Sequence, residues 1–419
     1  MKTHILEGNG IGKEIVSGKI VLIHPDTEVD KIGEGNIIVT DMTHADQLKI
    51  IKTSVGIITD KGGLSCHAAL IGRELNIPTI VGTENATKKL IEGQKVTLDC
   101  RLGKVYEGDT TNERFCKPTH NNYPIYTATE VRINLSMNES LQNALKLAPD
   151  GIGLVRLENI ILCMGKTPME LINQGKTQEY EEYLINNLQP IMDAMYPYPV
   201  RLRTIDLPTD EFEGLVGSHK ETKECNPMLG YRGLRRDLLE LQHFMAELRV
   251  FKKLYDMGYS NMEIMFPFVQ HPKEFSEAKR YVDEIGLKKV KLGIMVEIPS
   301  SAILINDFIK EGIKFITLGT NDLIQFTLAV DRNNAKISKL FDAMHPSVTS
   351  LILNVLSSCQ KNGVETAICG EAGSNPEMIN LLVRNGINCI SCNIDAIQDV
   401  KKLVYRIEKQ IMLEHSIKK

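Results

Sequence analysis

From about residue 128 to the C-terminus, strand-like apolar runs alternate with helical patterns of ten or more residues, and this rhythm constrains the fold more than anything else in the chain. The strand-like runs fall at 131–137, 151–156, 199–205, 262–268, 291–298, 314–319, 365–370 and 388–393. The clearest helical patterns lie at 167–195, 233–257, 272–285, 301–311, 347–362, 375–385 and 395–413. Eight β/α units in roughly 290 residues predict a (β/α)8 barrel over 128–419, since an open doubly wound sheet usually has fewer strands and a Gly-rich first turn. Residues 1–112 read differently. Short β runs at 18–23, 36–40, 55–59, 79–81 and 95–99 are punctuated by turns and by helical patterns near 44–52 and 66–75, which predicts a compact β/α domain. The stretch from Asp109 to Tyr126 is polar, Pro- and Asn-bearing and aperiodic, so 113–127 is expected to be a linker. The chain as a whole is α/β.

Composition excludes several classes of function. With 42% apolar and 24% charged residues among 419, the chain is ordinary globular protein. A net charge of −4 gives no basic surplus for nucleic acid or a membrane surface. No apolar run is long enough to span a bilayer, and the first residues lack a secretory pattern. The nine cysteines are odd in number and scattered, which reads as reduced thiols in a cytoplasmic protein. Cys389 and Cys392 are the only close pair, and without a second pair nearby zinc is not expected.

Two places carry chemistry. In Lys61-Gly62-Gly63-Leu-Ser65-Cys66-His67-Ala-Ala-Leu-Ile-Gly72-Arg73, a strand is followed by a Gly-Gly turn and a helix start. Ser65 is expected as the N-cap, which places His67 in the first turn, where unpaired N–H groups favour a neutral ring and later a negative charge on it. A lone His near a helix start more often only caps or packs. The second place is the rim made by the strand C-termini, where barrel enzymes hold their chemistry. Arg156, Arg203, Glu297, Asn321, Asp322, Arg332, Cys369 and Glu371 all fall at or just beyond such ends. Glu297 and Asp322 offer hard oxygen ligands to Mg²⁺, and guanidinium groups bind phosphate and carboxylate bidentately. Taken singly, these residues also suit ion pairs along a barrel rim. Converging, they point to a phospho-carboxylate site.

The segment Gly62-Gly63-Leu-Ser-Cys-His67-Ala-Ala-Leu-Ile-Gly-Arg73-Glu-Leu-Asn-Ile-Pro78-Thr-Ile-Val-Gly82 resembles the phosphohistidine segment of the PEP-utilizing enzymes. This family includes the PEP synthases (pyruvate, water dikinases), pyruvate, phosphate dikinase and enzyme I of the bacterial sugar phosphotransferase system. Gly151-Ile-Gly-Leu-Val-Arg156, Arg203-Thr-Ile-Asp206, Asn226-Pro-Met-Leu-Gly-Tyr-Arg232, Gly293-Ile-Met-Val-Glu297, Gly319-Thr-Asn321-Asp322, Ala329-Val-Asp-Arg332 and Ile368-Cys369-Gly370-Glu371 are similar to the family's PEP/pyruvate-barrel motifs. The resemblance implies a swivelling phosphohistidine domain over 1–112 followed by a PEP/pyruvate-binding TIM barrel. It implies that His67 is transiently phosphorylated and that Arg156, Arg203, Arg332 and Asn321 grip PEP with Arg232 in support. It further implies that Glu297 and Asp322 hold Mg²⁺, that Cys369 protonates the enolate, and that the barrel forms a homodimer. One departure stands out: the family's Lys shortly after the Arg203 motif is missing from Pro208-Thr-Asp-Glu211.

The region from Pro208 to Asn226 lies nearest the PEP synthase branch, which implies phosphoryl transfer between PEP/pyruvate and His67. No Walker-type run occurs and no block remains for an ATP-grasp fold, so ATP alone is not expected to phosphorylate the chain; a separate ATP-grasp protein or phosphocarrier would be its partner. The alternatives are a PEP-protein phosphotransferase resembling enzyme I without its docking domain, and a non-catalytic PEP-binding sensor or phosphocarrier. The intact His67, Glu297, Asp322 and Cys369 speak against the sensor.

Overall fold

A computed structural model describes residues 4–12, 14–23, 35–43, 47–63, 66–109, 125–135, 140–221, 223–332, 334 and 336–417. The chain divides into two compact units, Met1–Pro124 with Val330–Phe341, and Ile125–Ala329 with Asp342–Lys419. The expected linker 113–127 lies outside the described residues except for its last three.

The first unit is built on an eight-stranded sheet. Its strands are β1 (Leu6–Glu7), β2 (Asn9–Ile11), β3 (Ile15–Leu22), β4 (Asn36–Thr40), β5 (Gly56–Thr59), β6 (Thr79–Val81), β7 (Lys95–Asp99) and β8 (Lys104–Glu107), in the order β1-β8-β7-β3-β4-β5-β6-β2. The run β3-β4-β5-β6 is parallel, and its neighbours on either side are antiparallel. Every residue of β5 is buried, as a parallel strand covered on both faces requires. Ile20, Ile37, Val39, Ile58, Ile80, Val96 and Leu98 form its core. The short strands β1, β2 and β8 were not expected from sequence; two to four residues are too few to show a period.

The second unit is the expected closed barrel of eight parallel strands. They are β9 (Glu130–Leu135), β10 (Ile152–Arg156), β11 (Val200–Arg203), β12 (Met262–Phe266), β13 (Lys291–Val296), β14 (Phe315–Gly319), β15 (Glu365–Cys369) and β16 (Cys389–Cys392), with β16 closing on β9. Several expected helices are split. The pattern over 167–195 becomes Pro168–Asn173 and Thr177–Met195, because Gly175 turns left-handed between them. The 233–257 pattern breaks at Glu240 and the 301–311 pattern at Leu304. Among the described residues no helix is long and apolar enough to cross a membrane.

Strand register fixes a charged floor inside the barrel. Arg201 on β11 is the register partner of Glu263 on β12, which in turn partners Lys291 on β13. Arg201 is fully buried, donates Nε–H to Glu263 Oε2 at 2.7 Å, pairs with Glu365 and lies 4.1 Å over the Phe315 ring. Residues two apart on a strand share a face, so Arg203 repeats Arg201 one layer nearer the strand C-terminus.

Candidate active site

In the first unit, β5 leads through Lys61-Gly62-Gly63 to a helix over His67–Glu74. Gly62 has φ +104°, and a Cβ there would lie 2.6 Å from Cys66 Sγ, so the turn admits only glycine. His67 is the first helical residue, as expected, but the N-cap is Cys66, with no side-chain cap; Ser65, the expected cap, lies outside the described residues. The half-buried imidazole has Nδ1 3.1 Å from the hydroxyl of buried Thr43.

In the second unit, the strand C-termini gather most of the expected rim residues. Arg156 ends β10, and its register partner is Arg203 at the end of β11, so two guanidinium groups are set on adjacent strand ends. Arg203 donates Nη2–H to Glu158 Oε1 at 2.8 Å, and Nη1 lies 3.4 Å from Asp206. Glu158 also accepts the Asp206 N–H at 2.7 Å, which fixes the chain just past β11. Arg232 comes in on the loop that follows, 4% exposed. It forks onto Asp206, with Nε and Nη2 donating at 2.8 and 2.7 Å, and Nη2 also reaches Asp322 Oδ2 at 2.9 Å.

Glu297 follows β13 and is 2% exposed. Its Oε1 accepts the Phe268 N–H at 2.6 Å. A Cβ on Gly319 would stand 2.8 Å from Glu297 Oε2, so the glycine at the end of β14 leaves the carboxylate its room. The helix over Thr320–Leu328 opens there and presents Asn321 and Asp322 from its first turn. Carboxylate oxygens of Asp206, Glu297 and Asp322 all lie within 4.8 Å of one another. Burial, then the charges of Asp206 and Asp322, push the Glu297 carboxyl well above the usual carboxylate range, against the pull of Arg203 and Arg232. Three hard oxygen donors crowded enough to raise one another's proton affinity fit a divalent cation.

Cys369 ends β15 as the register partner of Gly319, and packs with Leu154, Met265, Met295 and Phe315. Burial pushes its thiol up to about 12, so it stays protonated, with Arg156 and Arg203 pulling the other way. Its Sγ lies 3.6 Å from the Leu318 carbonyl. Arg332 belongs to Val330–Phe341, the segment grouped with the first unit, and is not among the residues gathered at the strand ends. Cys389 and Cys392 are both fully buried on β16, and the acidic trio is the only metal-competent cluster among the described residues.

Three residues of this site were missed from sequence: Asp206, Glu158 and Phe268. Asp206 stood within a quoted motif, and its place just past a strand end beside Arg203 was the signal available. Glu158 follows Arg156 by two residues and carried the same signal. Phe268 carried none.

A chain with a barrel, an acidic trio and arginines at its strand C-termini, and a histidine at a glycine-turned helix start, belongs to the PEP-utilising enzymes. Residues 117–409 match the family described as "PEP-utilising enzyme, PEP-binding domain", and 32–103 match "PEP-utilising enzyme, mobile domain". Among its relatives are a probable phosphoenolpyruvate synthase of Archaeoglobus fulgidus, 45% identical over 413 residues, covering 98% of this chain and 55% of that protein. Another is phosphoenolpyruvate synthase of Pyrococcus furiosus, 43% identical over 419 residues, covering 97% of this chain and 51% of that protein. The chain thus spans about half the length of the curated relatives it matches.

Proposed function

We propose that this chain moves a phosphoryl group between phosphoenolpyruvate and His67, the pyruvate-side half of a phosphoenolpyruvate synthase reaction. The observation that carries this reading is the convergence of Arg203, Arg232, Asp206, Glu297, Asp322 and a buried protonated Cys369 at one barrel mouth, in a chain that also sets a His at a helix start. Residues 1–112 would act as the phosphohistidine domain and 128–419 as the substrate barrel. Glu297 and Asp322, with Asp206 beside them, would hold Mg²⁺, which supplies neutralisation of phosphate charge. Arg156, Arg203, Arg332 and Asn321 would orient the phosphate and carboxylate, with Arg232 locked behind them.

With Nδ1 donating to Thr43, Nε2 carries the lone pair. Nε2 attacks phosphorus, the P–O bond to the enol oxygen breaks, and its electron pair leaves with the pyruvate enolate. The Cys369 thiol delivers its proton to the enolate carbon, completing pyruvate. Run in reverse, the thiolate removes that proton and phospho-His67 phosphorylates the enolate oxygen. Further proposals are a cytoplasmic location, a homodimer through the barrel and a separate protein that exchanges phosphoryl groups with His67; sedimentation of the purified chain tests the dimer.

Incubation with PEP labelled on phosphorus, plus Mg²⁺, should give acid-labile, base-stable label. His67→Ala should abolish labelling while PEP still binds. Label retained by that variant would overturn the assignment.

A further inference from the structure

Phe268 stands two residues beyond β12 in a conformation that bulky residues avoid, with φ +54°. It is 2% exposed and is no surface turn. Left-handed backbone at a non-glycine residue persists only where its surroundings over-determine it, and such outliers gather at functional sites. Here the surroundings are the site itself. The Phe268 N–H donates to Glu297 Oε1 at 2.6 Å. The face of its ring carries the Arg232 guanidinium, whose Cζ lies 4.5 Å from the ring centroid, and Arg235 follows at 5.3 Å. The ring meets Phe326 edge-on at 5.8 Å, and Phe326 lies on the helix whose first turn carries Asn321 and Asp322. The chain after Arg232 is pressed onto the same residue. A Cβ on Gly233 would fall 2.5 Å from Phe268 Cβ, and the Leu234 N–H donates to the Pro267 carbonyl at 3.0 Å.

One residue therefore touches the acidic trio through its backbone, the arginine fork through its ring face and the Asp322 helix through its ring edge. We propose that Phe268 is a positioning residue for substrate binding: its left-handed turn aims the N–H at Glu297 while the ring holds the Arg232 guanidinium flat for the phospho-carboxylate. An aliphatic side chain of similar volume fills the space but offers no negative π-face to the cation. This inference rests on the PEP reading of the site and adds to it a residue that itself carries no charge.

The test separates shape from π-electron density. Mono-, di- and trifluorinated phenylalanine placed at 268 in the full chain keep the volume and drain the ring face. PEP affinity in the presence of Mg²⁺, measured calorimetrically, should fall stepwise by about 2- to 30-fold across the series, the span of a partly to fully desolvated cation–π contact. Melting temperature should stay within a degree or two. Phe268→Leu should match the trifluorinated protein in affinity; if it fails to fold, the isosteric series still decides. Unchanged PEP affinity across the fluorinated series would overturn the positioning role alone. A wild-type chain that binds no PEP with Mg²⁺ would overturn the functional reading, and this inference with it.

Discussion

Asp206→Asn isolates the residue that ties the arginine fork to the acidic trio. Arg232 is 4% exposed and has two carboxylate partners, Asp206 through two N–H bonds and Asp322 through one. Asparagine can accept only one of the two bonds, and its NH₂ then faces a second donor. Removing one partner of a buried ion pair costs about 3–5 kcal/mol. Asp322 remains for Arg232, and repulsion on Glu297 is relieved, so the low end applies and the expected loss is about 3 kcal/mol. For a barrel of this size that lowers the melting transition by roughly 6–12 °C, at ~2–4 °C per kcal/mol. Scanning calorimetry on the barrel transition measures it. Run with and without excess Mg²⁺, the same scans test the trio as a site. A ligand at ~100 times its Kd stabilises by about 2.7 kcal/mol, and a tenfold weaker site by about 1.4. The variant should show the smaller Mg²⁺ increment. A loss below ~1 kcal/mol, with the Mg²⁺ increment intact, would refute the argument that Asp206 couples fork and trio.

Two further outcomes follow from groups away from the mouth. His243 is fully buried, shares its Nε2 with the Tyr180 hydroxyl at 3.0 Å, and is pushed down to about 4 by burial and then by Arg236. A depressed folded value means that its contribution is intact above the unfolded value of 6.5 and lost as pH falls toward 4; that window, at 1.36 kcal/mol per unit, holds about 3 kcal/mol. His243→Gln should flatten the stability profile between those pH values in urea titrations, and an unchanged slope would contradict it. On the barrel floor, Glu263→Gln should cost about 3–5 kcal/mol by leaving Arg201 short of a partner, while the double replacement Arg201→Met with Glu263→Leu recovers most of the loss. A double variant as unstable as the single would count against a purely electrostatic cost.

The barrel was legible because all eight of its strands are nearly continuous apolar runs, as strands buried on both faces must be, and the observed bounds fall within a few residues of the expected ones. The helix breaks were less legible: only the first has a glycine marker, and Glu240 and Leu304 carry none. In the site, Arg203, Arg232, Glu297, Asp322 and Cys369 stand together at the strand C-termini as the motifs implied. Asp206 was in view without a role because its pairing with Arg232 spans 26 residues of loop, a contact that no local period encodes. Phe268 was invisible for a stronger reason. Local propensity argues against a left-handed phenylalanine, and only the surrounding charges and rings impose it. Arg332, which follows the Asp322 helix in sequence, groups instead with the first unit, so its place in PEP binding rests on the motif.

The two charged layers of the barrel make opposite statements about what each lacks. On the floor, Arg132, Arg201 and Lys291 meet Glu130, Glu263 and Glu365, three cations against three carboxylates among the described residues. Burial alone would push the Glu263 carboxyl up, yet Arg201 and Arg132 outweigh it and hold it below its ordinary value. That layer is complete in itself. One layer nearer the mouth, Asp206, Glu297, Asp322 and Glu158 face Arg203 and Arg232 with Arg156 at the edge, four carboxylates against three guanidinium groups. There the balance tips the other way, and burial together with two neighbouring carboxylates drives Glu297 toward its protonated form. Arg201 and Arg203 are two residues apart on one strand, so the difference does not come from fold or depth alone; it comes from the acids placed around them. A layer that raises the proton affinity of its own carboxylates is one in which a divalent cation gains most from displacing a proton, while guanidinium groups on the adjacent strand ends stand ready for the anion that such a cation would share.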